Sequence, residues 1–169
     1  ITGCMAQKNQ ADMFKRAPHI DIVLGTHNIQ HINEMVKEVQ RTKKRQVNVD
    51  MDNTVLPELA AKPNGTFFAW VPIMNGCNKF CTYCIVPHVR GREISRPVEA
   101  IVKDVRELGE KGFKEITLLG QNVNSYGLDF KDGTDFGTLV DALDGIPGIE
   151  RIRYMTSHPQ DMTKGMVDA

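Results

Sequence analysis

The chain has 169 residues, enough for one medium domain or parts of two. Its 21 Lys and Arg balance 21 Asp and Glu to a formal net charge of zero, which excludes a global basic field for nucleic acid. No apolar run approaches the ~20 residues of a membrane span and no secretory signal is visible, so the expectation is a cytoplasmic protein without a membrane partner, its cysteines kept reduced.

Ile1-Thr-Gly-Cys4-Met-Ala-Gln7 opens with a glycine–cysteine pair at a candidate strand end, where Cys4 by itself reads as a small buried hydrophobe. Gln7 to Ala17 predicts a helix closed by Pro18, and Ile20 to Leu24, bounded by Gly25, predicts a buried strand. Asn28 is placed to cap a second helix carrying Ile29, Ile32, Val36 and Val39 at helical spacing. Residues 1–45 therefore resemble the tail of an α/β layer domain. Its closing basic run, Arg41 to Arg45, is a solvated helix end or a contact for RNA phosphates. From Gln46 to Gly65 the periodicity fades and Pro57, Pro63 and Gly65 mark a linker.

Residues 66–169 predict a second domain. Phe67 to Ile73 is its first strand, followed by a cysteine-rich loop. Pro97 fits the first turn of a helix with Val98, Ile101, Val102, Val105 and Leu108 on its apolar face, stopped by Gly109 and Gly112. Glu115 to Leu119 is a second strand, running into Gly120-Gln-Asn-Val-Asn-Ser-Tyr-Gly127. Phe136, Leu139, Val140 and Leu143 form another helical stripe, and Ile152 to Met155 a third strand leading to Thr156-Ser-His-Pro159. This alternation predicts parallel βα units, with the three loops at the carboxyl ends of the strands, where such barrels place their active sites. The units fall short of the ~250 residues of a closed eight-stranded barrel.

Three of the four cysteines stand at Cys77-x3-Cys81-x2-Cys84. Thiols so close can converge on one metal centre, because a metal readily deprotonates a group of pKa ~8.5. Three thiolates are too few for a closed structural zinc site but suit a [4Fe–4S] cluster with one open iron. His88 keeps a second reading alive: Cys77, Cys81, Cys84 and His88 as a Cys3His zinc site in a non-catalytic RNA-binding module.

The string Gly-Cys-Asn-Lys-Phe-Cys-Thr-Tyr-Cys-Ile-Val-Pro, with Arg-Gly-Arg-Glu after it, resembles the methylthiotransferase branch of the radical S-adenosylmethionine (SAM) enzymes. One departure is His88, where tyrosine or another aromatic is expected; a planar ring is kept. The resemblance implies an α/β fold: the C-terminal piece of a methylthiotransferase N-terminal domain (1–45), a linker (46–65) and the first βα units of a radical SAM partial TIM-type barrel (66–169). The chain is then expected to be a fragment of a longer protein. Cys77, Cys81 and Cys84 would hold the radical SAM [4Fe–4S] cluster, whose open iron chelates SAM and whose electron cleaves the sulfonium to a 5′-deoxyadenosyl radical. Gly-Cys4-Met-Ala-Gln is similar to the third cysteine motif of the N-terminal domain, which makes Cys4 a ligand of a second cluster with its partner ligands upstream.

The resemblance further places Phe80, Tyr83, Gly120, Gln121 and Ser157 as SAM contacts, Gln121 standing where an acidic residue is usual. Arg90, Arg92 and Arg96 are candidates for tRNA phosphate or the SAM carboxylate, since guanidinium geometry suits both. His158 qualifies only by its location at a strand end. The implied reaction adds a methylthio group to C2 of N6-isopentenyladenosine beside the tRNA anticodon, with a flavodoxin-type electron donor. Related branches act on threonylcarbamoyl-adenosine or on a ribosomal-protein aspartate.

Overall fold

The computed structural model describes residues 1–51, 65 and 67–168. It divides into two compact units, Ile1–Pro57 with Cys77–Arg92, and Glu58–Gly76 with Glu93–Ala169. The first consequence is that the cysteine loop belongs to the same unit as the N-terminal segment.

In the first unit, β1 (Ile22–Leu24) pairs in parallel with β2 (Gln46–Asn48), Ile22 opposite Gln46 and Leu24 opposite Asn48. Thr2 adds a parallel bridge to Leu24. The stretch expected to be a linker thus begins with a strand, and its residues 52–64 lie outside the described ones. The helix expected over Gln7–Ala17 starts earlier and is broken: α1 (Cys4–Asn9), a 3-10 turn (Gln10–Asp12) and α2 (Met13–Arg16). The break falls at Gln10, whose φ of 48° lies in the left-handed region and cannot continue a right-handed helix. A 3-10 turn (Ile29–His31) leads into α3 (Ile32–Thr42). Asn28 does not cap it; its amide donates to the carbonyl of Asp50 at 2.8 Å. Of the α3 side chains, Met35 is buried, whereas Ile32 and Val36 are exposed. The core gathers Ala6, Met13, Ile20 and Val23. A short helix α4 (Val86–Arg90) completes the unit and packs on α1.

The second unit is built on three parallel strands in the order β3 (Phe68–Pro72), β6 (Glu115–Leu119), β7 (Arg151–Tyr154). Ala69 stands opposite Ile116 and that opposite Ile152, so one sheet face is apolar throughout. It is covered by α5 (Val98–Glu110), which buries Ile101, Val105 and Leu108, and α6 (Phe136–Leu143), which buries Leu139 and Leu143. The expected βα alternation is therefore the observed fold. Pro97 is the N-cap of α5 rather than its first helical residue. Gly109 lies inside the helix instead of ending it, and a Cβ there would collide with the carbonyl of Pro147, so the close approach is what calls for glycine. Asp135 caps α6 by accepting from the N–H of Thr138 at 2.8 Å. A two-residue antiparallel pair was not foreseen: β4 (Met74–Asn75) with β5 (Ile94–Ser95). A terminal helix α7 (Lys164–Asp168) follows the third strand. No helix among the described residues is long and apolar enough to cross a membrane.

Candidate metal centre and cofactor loops

The cysteine loop closes on itself. Its first cysteine donates a backbone N–H to the carbonyl of Gly91 at 3.1 Å. Inside, the N–H of Cys84 donates to the carbonyl of Cys81 at 2.9 Å, so these two cysteines bracket one turn. All four cysteines are free thiols; Cys77 is buried, and Cys4, Cys81 and Cys84 are half-buried. The Sγ of Cys77 accepts from the N–H of Lys79 at 3.4 Å, the kind of contact that stabilises a thiolate. Three unoxidised thiols on one closed loop fit the donor set of a cluster with an open iron. Among the described residues, no three His, Cys, Asp or Glu side chains already stand close enough to hold a metal ion.

Aromatic and cationic side chains ring this loop. Phe80 is 59% and Tyr83 93% exposed, a large apolar offering to solvent for one short loop. The His88 ring meets Phe80 edge-on with centroids 5.9 Å apart, and the guanidinium of Arg92 sits 5.2 Å over the same ring. The planar ring kept at His88 is thus in edge-on contact with Phe80. Arg90 is half-buried and Arg92 exposed.

Cys4 is the first residue of α1, the helix that packs on α4. Sequence reasoning missed the role of Gln7 in the same motif. It is 94% buried by its 6% exposure, its amide donates to the carbonyl of Val49 at 2.7 Å, and its oxygen accepts from the N–H of Thr26 at 3.2 Å. Thr26 in turn donates its hydroxyl to the carbonyl of Val89 on α4. Gln7 and Thr26 thus connect the Cys4 helix, the end of β1 and the helix after Cys84.

In the second unit, Gly120 and Gln121 follow β6 as expected. The hydroxyl of Thr156, after β7, donates to the carbonyl of Gly120 at 2.6 Å, and Ser157 is exposed beside it. The side-chain oxygens of Gln121 and Asn124 are buried without a hydrogen-bond partner among the described residues. Buried orphan acceptors are costly, and they suit a ligand that brings N–H donors, as the ammonium group of SAM does. Arg96 is differently placed from the other two arginines. Its guanidinium is held inside this unit, 2.7 Å from Asp104 and 2.7 Å from the carbonyl of Pro72.

Residues 93–96 are fastened to the loop after β6. The hydroxyl of Ser125 donates to the buried Glu93 at 2.8 Å, the N–H of Gly127 to Ser95 Oγ at 2.9 Å, and the phenol of Tyr126 to the carbonyl of Arg96 at 2.6 Å. Ser125 and Tyr126 stood in the Gly120–Gly127 string and Glu93 in Arg-Gly-Arg-Glu, but none of them was assigned this fastening role from the sequence. The readable signal was an Asn-x-Asn-Ser run directly after an apolar strand, too polar to be there without a structural use.

Residues 71–169 match the Radical SAM superfamily, and the chain belongs to that superfamily. Its relatives narrow the class further. It is 46% identical over 172 residues to a tRNA-2-methylthio-N(6)-dimethylallyladenosine synthase of Acetivibrio thermocellus, covering 100% of this chain and 36% of that protein. It is 47% identical over 173 residues to the Pelotomaculum thermopropionicum protein of the same name, covering 100% of this chain and 39% of that one. A third, from Clostridium botulinum, is 43% identical over 172 residues, with 100% and 38% covered. The chain spans well under half the length of the curated relatives it matches. Superfamily membership brings with it a [4Fe–4S] cluster and SAM.

Proposed function

We propose that this chain is the catalytic portion of a tRNA methylthiotransferase that places a methylthio group on C2 of N6-isopentenyladenosine. The substrate is taken from the printed names of relatives 43–47% identical to it. The observation that carries the reading is the self-closed loop presenting three free thiols, with Cys77 Sγ already accepting a backbone N–H. Cys77, Cys81 and Cys84 hold the radical SAM cluster, and Cys4 contributes to a second one, so that the full-length protein carries two. When bound, the cluster supplies the electron that cleaves SAM.

The chain's own residues bind and orient. Gln121 accepts from the SAM ammonium, an uncharged acceptor where a carboxylate is more usual. Phe80 and Tyr83 offer ring surface to the adenosyl part, and Gly120 and Ser157 border it. Arg90 and Arg92 face tRNA phosphate; Arg96, held by Asp104, supports the fold instead. The domain division at 1–45, 46–65 and 66–169 belongs to this reading, with the cysteine loop folding onto the first part. So do a cytoplasmic location and a flavodoxin-type electron donor.

The test is anaerobic turnover of the reconstituted full-length protein with SAM, reductant and three substrates: tRNA bearing N6-isopentenyladenosine, tRNA bearing threonylcarbamoyl-adenosine, and the ribosomal protein. Mass spectrometry should find a methylthio product on the first alone. A product only on either of the others would replace this substrate assignment.

A further inference from the structure

The match to the radical SAM superfamily begins at residue 71, yet the helix that follows Cys84 is held by a residue far upstream in the same unit. That helix, α4, is five residues long and starts at Val86, two residues after the third cysteine of the loop. A helix leaves its last four carbonyls without partners of its own, and α4 has hardly more than four. Two carbonyls at its end are taken up from outside. That of Gly91 accepts from the N–H of Cys77 and closes the loop. That of Val89, a buried residue, accepts from the hydroxyl of Thr26. Threonine hydroxyls commonly bond within their own turn, whereas this one reaches a residue 63 positions along the chain.

Thr26 is itself fixed from several sides. Its N–H donates to Oε1 of the buried Gln7 at 3.2 Å, and Gln7 Nε2 donates to the carbonyl of Val49 at 2.7 Å. The amide reaches this place because residue 25 is glycine, where a Cβ would collide with Gln7 Oε1. The N–H of Gly25 donates to the carbonyl of Asn48 at 2.7 Å, which ties the turn to the end of β2. The Thr26 hydroxyl has one proton, and Val89 takes it. Toward Nδ1 of His27, 3.2 Å away, the oxygen can only accept, so that nitrogen carries the ring proton. N–H, hydroxyl proton and hydroxyl oxygen are thus all engaged.

We propose that Thr26 is a positioning residue for the iron–sulfur loop. Through Val89 it sets where α4 ends, and so where Gly91 meets Cys77; Gln7 holds Thr26 in place. The inference rests on the assignment of the cluster to Cys77, Cys81 and Cys84. Without the hydroxyl, the Val89 carbonyl loses its donor and the end of α4 its hold on the N-terminal segment. The three thiols keep their identity but lose the fixed frame that spaces them. Groups that orient metal ligands in this way typically account for about 10–100-fold in metal affinity.

The test uses the anaerobically reconstituted and reduced full-length protein. The readout is the electron paramagnetic resonance signal that Cys81→Ala lacks, followed during challenge with the chelator EDTA. Thr26→Val keeps the shape and removes the hydroxyl, whereas Thr26→Ser keeps the hydroxyl. Val23→Ala opens a cavity in the core of the same unit without touching the brace, and controls for lost stability. The signal should decay about tenfold faster than the parent's in Thr26→Val, and within about twofold of the parent's rate in Thr26→Ser and Val23→Ala. Parental decay in Thr26→Val, or equal acceleration in Thr26→Ser or Val23→Ala, would overturn the proposal and leave Thr26 a fold contact. Thr26→Ala, which cannot clash, supplies the same readout should the valine variant not fold. A signal that survives Cys81→Ala at full size would instead overturn the cluster assignment beneath the inference.

Discussion

The N–H of Cys77 and the carbonyl of Gly91 meet at 3.1 Å, so the loop with the three thiols is joined to itself just outside its first cysteine. The joint depends on Gly91, which adopts φ 76° and ψ −163°, a region essentially closed to residues with a Cβ. Gly91→Ala should cost about 1–3 kcal/mol and loosen the loop. A thermal scan together with iron per chain after gel filtration checks this. Both should fall, and parental values of both would show that the closure has no bearing on the cluster.

Within the second unit, Tyr126 braces residues 93–96 against the loop after β6. It is fully buried, and burial, with the nearby carboxylates of Asp129 and Glu99, pushes its phenol well above the ordinary value. It therefore stays a neutral donor to the carbonyl of Arg96. Tyr126→Phe preserves the ring packing and removes that donor, leaving the carbonyl with one partner fewer. Urea denaturation should register a loss of about 1–3 kcal/mol, with the slope of the transition unchanged.

Glu115 lies on the sheet face opposite the helices, bonded by Arg151 and Arg153 at 3.0 Å each. Desolvation pushes its carboxyl up, but hydrogen bonds from Arg153 and Arg151 outweigh it, and the group titrates below its ordinary value. A depressed folded-state pKa stabilises the charged form. The contribution is full above the unfolded value of ~4.3 and disappears as pH falls through the lower folded value. Glu115→Gln should therefore melt below the parent at pH 7, and the two should converge as pH falls through and below that range. A gap that stayed constant with pH would assign the effect to packing.

β1, β3 and β6 were legible because each combines an apolar run with a flanking turn, and the cysteine loop because its spacing is chemically specific; β2, only Gln-Val-Asn, was hidden in the stretch expected to be a linker. Less readable features were those decided by tertiary contacts. Gln7–Ala17 has helical character throughout, yet one left-handed residue at Gln10 splits it. The β4–β5 pair is too short for a periodicity to show, and its partners are 19–21 residues apart across the loop. Arg96 shares its residue type with Arg90 and Arg92, and only the neighbouring turn of α5, which brings Asp104 to it, reveals a structural task. Gln7, Asn122 and Asn124 are ordinary polar residues in sequence; their significance comes from burial, which composition does not encode.

Cys4 and Cys81 provide a comparison within one folded unit. Cys4→Ala in the full-length protein should leave cleavage of SAM at least partly intact while stopping methylthio transfer, because Cys4 is proposed to serve a second cluster, separate from the one that cleaves SAM. Separate quantification of 5′-deoxyadenosine and methylthiolated tRNA checks this. Full methylthiolation would reduce Cys4 to a packing residue.

Whether Cys77, Cys81 and Cys84 hold the cluster that cleaves SAM is tested most directly by 5′-deoxyadenosine formation in Cys81→Ala. The protein is reconstituted anaerobically and reduced, and circular dichroism first establishes that the variant folds like the parent. The expected result is no 5′-deoxyadenosine above the background of protein without iron. Formation at the parent's rate would contradict the assignment of this loop as the catalytic iron–sulfur site.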